Sequence, residues 1–197
     1  ISEDFIKQIH RTQDTGHKTQ KISLVTCDLC LVTPEVFSMH YRTGIGYDVH
    51  RFLRGRKLML GGVEVPHDRG LEGHSDADVV LHAICDALLG AVGRGDIGDH
   101  FPTSDDQYKG ISSSVLLNKV NDMVVAAGYQ VGNVDIVVLA EEPHLKEHKS
   151  RMRLHIAQEL AIDEHCVNIK ATTNEGLGFV GKREGIAAYA TVLVIKK

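Results

Sequence analysis

Two residues two positions apart, Asp48 and His50, close the stretch Thr43-Gly44-Ile45-Gly46-Tyr47-Asp48-Val49-His50. On an extended strand, side chains two residues apart point to the same face. A carboxylate and an imidazole aimed together supply two of the three protein ligands of a catalytic zinc site, which keeps its fourth position open. The expected third ligand is His82, at the end of Gly73-His74-Ser75-Asp76-Ala77-Asp78-Val79-Val80-Leu81-His82, where a helix should begin. Asp78, His82 and Asp86 recur every four residues and would share one polar stripe of that helix. Either aspartate is then placed to orient a metal-bound imidazole. Alone, an Asp-x-His pair is more often an ordinary surface or core pair, so the remaining chain must support the reading.

The elements that must hold these residues follow from the apolar spacing. Residues 42–50 read as a first strand, and Gly61-Gly62 between residues 57–60 and 63–65 as a hairpin turn. Residues 67–73 read as a loop. Ser75, followed three positions on by Asp78, resembles a capping box before Val79, Val80, Ala83, Ile84, Ala87 and Leu88, which are apolar at helical spacing. Ser112 or Ser113 should cap a second helix that stops at Gly128. Residues 134–140 form a nearly continuous apolar run expected of a buried strand. A third helix is expected over 146–160, and two last strands over 167–173 and 186–196, with a glycine-rich loop between them. The fold class is therefore α/β (α+β): a mixed, four-stranded-type sheet with helices packed on one face, plus a small hairpin. In the last strand Ile186, Ala188, Ala190, Val192 and Val194 share one face, while Ala187, Tyr189, Leu193 and Ile195 share the other. Nothing is left in so small a chain to cover the second face, which predicts a homo-oligomer.

The totals bound the class. A chain of 197 residues holds one ordinary domain and an appendage, and 43% hydrophobic with 24% charged residues is a globular composition. A net charge of −4 argues against a general nucleic-acid binder, and no apolar run approaches a membrane span. Twelve histidines favour metal chemistry. Cys27 and Cys30 have metal or redox spacing but no second pair to complete a structural site, while Cys85 and Cys166 read as small buried hydrophobes. This usage suits a reducing cytoplasm. The chain opens at Ile1, which suggests a fragment or a processed product. Residues 1–40 are expected to be a tail or linker, with an apolar segment over 22–33, and residues 41–197 the domain.

Three stretches, Arg42-Thr43-Gly44-Ile45-Gly46-Tyr47-Asp48-Val49-His50, Gly73-His74-Ser75-Asp76-Ala77-Asp78 and Lys170-Ala171-Thr172-Thr173-Asn174-Glu175, occur in one order across 41–197. Together they resemble the 2-C-methyl-D-erythritol 2,4-cyclodiphosphate synthase family of the non-mevalonate isoprenoid pathway. The resemblance implies a cytoplasmic phosphorus–oxygen lyase, a homotrimer with one active site at each subunit interface. Its small-molecule, cytidine diphosphate-linked substrate would be 4-diphosphocytidyl-2-C-methyl-D-erythritol 2-phosphate, and its products the cyclic 2,4-diphosphate and CMP. It implies Zn2+ on Asp48, His50 and His82, and a second divalent cation, Mg2+ or Mn2+, on Glu175. His74 and Thr173 would stabilise the transition state. Val49, Ser75, Ala171, Thr172 and Asn174 would adjoin the phosphates beside these groups. Asp96, Ile97 and Gly98 would bind the methylerythritol hydroxyls, with Phe101, Pro102, Thr103, Ser104 and Asp105 as an adjoining loop. Ala140, Glu141, Glu142, Pro143, His144, Leu145 and Lys146 would form the cytosine pocket, and Phe179 and Lys182 would complete the substrate contacts.

Two departures from the family pattern stand out. Asn174 occupies a position where a third threonine is common. Lys182 replaces an arginine that lines a central trimer cavity able to hold isoprenoid diphosphates; it keeps the charge without the bidentate fork. Ile1-Ser2-Glu3-Asp4-Phe5 resembles the end of the cytidylyltransferase of the same pathway, so a bifunctional parent chain is a further expectation. A zinc phosphohydrolase using bound water, or a trimeric module that binds isoprenoid diphosphates without turnover, are the alternative readings. Neither accounts for Thr172-Thr173-Glu175 and residues 140–146 together.

Overall fold

A computed structural model describes residues 41–197. The expected tail over 1–40, with its apolar segment and Cys27 and Cys30, lies outside the described residues. Strand β1 (Tyr41–Arg54) pairs antiparallel with β7 (Gly185–Lys196), from Tyr41 opposite Ile195 to Arg51 opposite Gly185. Beyond that point β4 (Arg69–Leu71) takes over as partner, Phe52 opposite Leu71, so β1 runs four residues past the expected end at His50. On its other edge β7 pairs antiparallel with β5 (Tyr129–Leu139), which pairs in parallel with β6 (Val167–Thr172). The sheet order is β4-β1-β7-β5-β6, and β2 (Leu58–Leu60) and β3 (Val63–Val65) form the expected separate hairpin.

The mixed sheet is thus five-stranded rather than four-stranded. The extra strand, β4, lies in the expected 67–73 loop. It is three residues long, too short for alternation to show, and Gly70 admits a neighbouring backbone: a Cβ there would lie 2.3 Å from the Lys57 carbonyl oxygen.

Helices α1 (Val79–Val92), α3 (Ser113–Ala126) and α4 (Lys149–Leu160) form where the apolar spacing places them, with the short α2 (Ile97–His100) and α5 (Gly178–Gly181) inside the expected loops. Parallel strands need a crossover connection, and α4 supplies it between β5 and β6. Ser112 caps α3. The start of α1 differs from expectation: Asp78, not Ser75, is its N-cap, accepting from Val80 N and Leu81 N. The same fully buried carboxylate accepts from Gly61 N and Gly62 N, tying the hairpin turn to the helix. Burial pushes the Asp78 carboxyl upward, against the pull of those N–H groups.

The core lies where α1 covers the sheet. Ile186, Ala188, Ala190, Val192 and Val194 of β7 are buried there with Ile136 and Val138 of β5. On the opposite face Tyr189 is exposed and Leu193 and Ile195 are half-buried, while Ala187 is buried. Alternate residues of β1, Ile45, Tyr47 and Val49, extend that exposed apolar surface, and the Tyr47 and Tyr189 rings lie 4.7 Å apart. Cys85 is buried in α1 and Cys166 half-buried, both free thiols. Among the described residues no helix is long and apolar enough to cross a membrane.

Candidate metal centre

The Gly-x-Gly-x-Asp-x-His run of β1 places Gly44, Gly46, Asp48 and His50 on the face that meets α1. A Cβ at Gly44 would sit 1.8 Å from the Ala87 carbonyl oxygen, and one at Gly46 2.0 Å from that of Ala83. Helix and strand backbones therefore touch, with Ala83, Ala87 and Ala91 spaced four apart as the opposing small stripe. This contact brings His82, one residue before the stripe, over Asp48 and His50. Asp48 Oδ2 lies 2.9 Å from His50 Nε2 and 3.0 Å from His82 Nδ1, and the two nitrogens are 3.1 Å apart.

The outer atoms of both rings decide what those inner atoms are. His50 Nδ1–H donates to the Glu72 carbonyl at 2.7 Å, which leaves Nε2 as a bare lone pair. Ser113 Oγ donates to the Asp76 carboxylate and accepts from His82 Nε2–H at 2.9 Å, which leaves Nδ1 bare as well. Ser75 Oγ stands behind the same ring nitrogen at 3.2 Å and accepts from Ala77 N. Two imidazole lone pairs and a carboxylate oxygen thus converge on one point, an arrangement that a cation stabilises. Ligand atoms on a tetrahedral ion at about 2.0–2.2 Å lie roughly 3.3–3.6 Å from one another, a few tenths beyond the observed separations. The donor set therefore fits a metal ion, and these three residues can hold one.

In the metal-free site, where protons between the rings and Asp48 stand in for the cation, burial opposes the charge on Asp48, yet hydrogen bonds and charge from His50 and His82 outweigh it and hold the carboxyl well below the usual carboxylate range. Burial likewise pulls His50 down, but the Asp48 carboxylate and the Glu72 carbonyl together raise it.

The triad opens into a cavity of about 210 Å³ bordered also by His74, Ser75, Ile97, Gly98, Phe101, Thr103, Tyr108 and Leu116. His74 Nε2–H donates to the Asp105 carbonyl at 3.3 Å. His74 and Ser75 precede the helix itself: α1 starts at Val79, and Asp78 takes up two of its free N–H groups. The aspartates expected to orient His82 also act elsewhere, Asp78 as the buried cap and Asp86 by accepting from Ile97 N at 2.8 Å. Burial raises the Asp86 carboxyl despite that bond. The orienting carboxylate is Asp76, reached through Ser113, which no local spacing reveals. Asp96 is exposed and caps α2, accepting from Asp99 N. Pro102 and Ser104 are exposed and do not line this cavity, and Val49 points to the opposite sheet face.

A second cavity, about 180 Å³, is lined by Ala140, Pro143, His144, Leu145, Lys146, Lys149, Ala171, Thr172 and Thr173. It shares no residue with the first. Neither acidic residue of the 140–146 segment lines it. Glu141 accepts from Asn174 N at 2.8 Å, whereas Glu142 pairs with Arg69 and lies 3.7 Å from Arg183. Glu175, at φ +51°, accepts from Thr173 Oγ1 at 2.6 Å. Asn174, Glu175, Phe179 and Lys182 border neither cavity.

The model of the YgbB family matches residues 41–195. The 2-C-methyl-D-erythritol 2,4-cyclodiphosphate synthase of Syntrophomonas wolfei is 60% identical over 153 residues, 78% of this chain and 98% of that protein. A solved IspF of Plasmodium falciparum, in a CDP complex, superimposes with a TM-score of 0.71 at 34% identity, covering 80% of this chain and 97% of that one. The bifunctional IspDF of Campylobacter jejuni gives a TM-score of 0.77 at 43% identity, over 80% of this chain but 42% of that longer one.

Proposed function

The chain belongs to the YgbB family, and on that footing we propose that it converts 4-diphosphocytidyl-2-C-methyl-D-erythritol 2-phosphate to 2-C-methyl-D-erythritol 2,4-cyclodiphosphate and CMP. The observation that carries this is the convergence of three lone pairs, from Asp48, His50 and His82, at the mouth of a cavity. An oxygen of the substrate's own 2-phosphate attacks the β-phosphorus. As that P–O bond forms, the bond to the phosphate oxygen of CMP breaks, and CMP leaves with the electron pair. The substrate supplies its own nucleophile, so the protein's part is positioning and the neutralisation of crowded negative charge.

Asp48, His50 and His82 would hold zinc, which when bound supplies Lewis-acid polarisation of phosphate oxygens. His74, steadied by the Asp105 carbonyl, presents its ring at the edge of the same cavity. Ile97 and Gly98 border it where the methylerythritol hydroxyls would bind, next to Asp96. The cavity at 140–149 and 171–173 would take the cytidine nucleotide. Thr173 would stabilise the transition state there, and Glu175 would hold a second divalent cation, Mg2+ or Mn2+. Magnesium keeps several waters and takes substrate phosphates, so one carboxylate suffices.

The two cavities share no residue within one chain, and the exposed Ile45, Tyr47, Val49 and Tyr189 leave an apolar sheet face to cover. Both observations support a homotrimer that joins the metal side of one subunit to the nucleotide side of the next. Residues 41–197 would carry the activity as one domain, with 1–40 as an attached segment. The test is incubation with the diphosphocytidyl substrate and Mg2+, with and without chelator. CMP release that the chelator abolishes is expected; inorganic phosphate without CMP would favour a phosphohydrolase instead.

A further inference from the structure

We propose that Glu141 is a positioning residue that fixes the turn carrying Glu175 and links it to the 140–146 segment; this rests on the function proposed above. The β5–β6 ladder ends with Ala140 N donating to the Thr172 carbonyl at 3.0 Å, so the two chains leave the sheet side by side. Past Thr172 the backbone enters two successive left-handed residues, Glu175 at φ +51° and Gly176 at φ +77°. A glutamate adopts that region only where its surroundings impose it.

Glu141 is what imposes it. One oxygen, Oε1, accepts from Asn174 N at 2.8 Å and Gly176 N at 3.4 Å, the amides on either side of Glu175. The turn is closed by Leu177 N donating to the Asn174 carbonyl at 2.9 Å, and the Thr173 hydroxyl then aims the Glu175 carboxylate. The next side chain, Glu142, anchors the same segment elsewhere, on Arg69 and Arg183. Glu141 lines neither of the two cavities described above and serves through the backbone of its neighbour.

The role needs an acceptor at the right reach, not a charge, and three variants separate these. Glu141→Gln keeps a carbonyl acceptor at the same length, Glu141→Asp keeps the charge but loses the reach, and Glu141→Ala loses both. The readout is Mn2+ binding, followed by electron paramagnetic resonance of free Mn2+ with CDP present, and the Mn2+ dependence of CMP formation. Glu141→Ala and Glu141→Asp should each weaken Mn2+ binding about tenfold, with zinc content unchanged, while Glu141→Gln stays within about threefold of the parent. The proposal is overturned by unaltered Mn2+ affinity in Glu141→Asp, by a Glu141→Gln variant as weak as Glu141→Asp, or by a parent chain that binds no Mn2+. A parent that binds Mn2+ but forms no CMP would overturn the proposed reaction alone, because the binding comparison among variants remains readable.

Discussion

The two halves of the candidate site are built by different means. Around Asp48, His50 and His82 the geometry comes from backbone contact, with glycines at 44 and 46 letting β1 press onto α1. A carbonyl and a Ser113–Asp76 relay then lock both rings. Around Glu175 the backbone contact lies at the surface, where a Cβ at Gly181 would sit 2.1 Å from the Gly176 carbonyl carbon. An exposed turn with a left-handed glutamate is held by one neighbouring carboxylate and one hydroxyl. A strand pressed on a buried helix therefore preorganises the first half, whereas the second, on the surface, depends more on side-chain ties and on what binds there. With cations bound as proposed, the first position would be rigid and the second would follow the substrate.

The largest effect should come from the rigid half. Asp48→Ala or His82→Ala should each abolish zinc binding, measured by elemental analysis, and slow CMP formation by about 10³-fold or more, since Lewis-acid stabilisation is worth several kcal/mol. Gly46→Ala tests whether backbone contact builds that half. Its Cβ would meet the Ala83 carbonyl, and the variant should lose about 2–3 kcal/mol in urea unfolding along with part of its zinc affinity. Asp76→Ala removes the far end of the relay and should weaken zinc about ten- to a hundredfold while the fold persists, as competition with a chelator would show.

The smallest effect lies at the exposed sheet face. The Lys170 ammonium, with Asn168, holds the Asp135 carboxyl below its usual range. Stability from a depressed carboxylate is present above its unfolded value near pH 4 and lost as pH falls through the lower folded value. Lys170→Ala should therefore cost roughly 0.5 kcal/mol or less at pH 7, because the pair is solvent-screened, and nothing once Asp135 is protonated. Unfolding midpoints at the two pH values check it.

Much of the rigid half was legible because it obeys short-range periodicity. Alternation puts Asp48 and His50 on one face, and the helix that brings His82 announces itself by its apolar spacing. The glycines at 44 and 46 were visible too, but their meaning appears only beside Ala83 and Ala87 on another element. What escaped was long-range or ambiguous. Ser75 and Asp78 are both capping residue types, and the left-handed Ala77 between them, at φ +58°, turns the chain so that only Asp78 reaches the helix amides. Asp76 meets His82 only through Ser113, and β4 is too brief to carry a pattern. Glu141 and Glu142 sit in a segment expected to read cytosine, yet their side chains bind other parts of the chain.

Whether three specific atoms share one cation is read from anomalous diffraction at the zinc edge, using crystals of the metal-loaded protein. A single peak about 2.0–2.2 Å from Asp48 Oδ2, His50 Nε2 and His82 Nδ1 is the expected result. A peak bound through the opposite ring nitrogens, or one placed away from these residues, would contradict it.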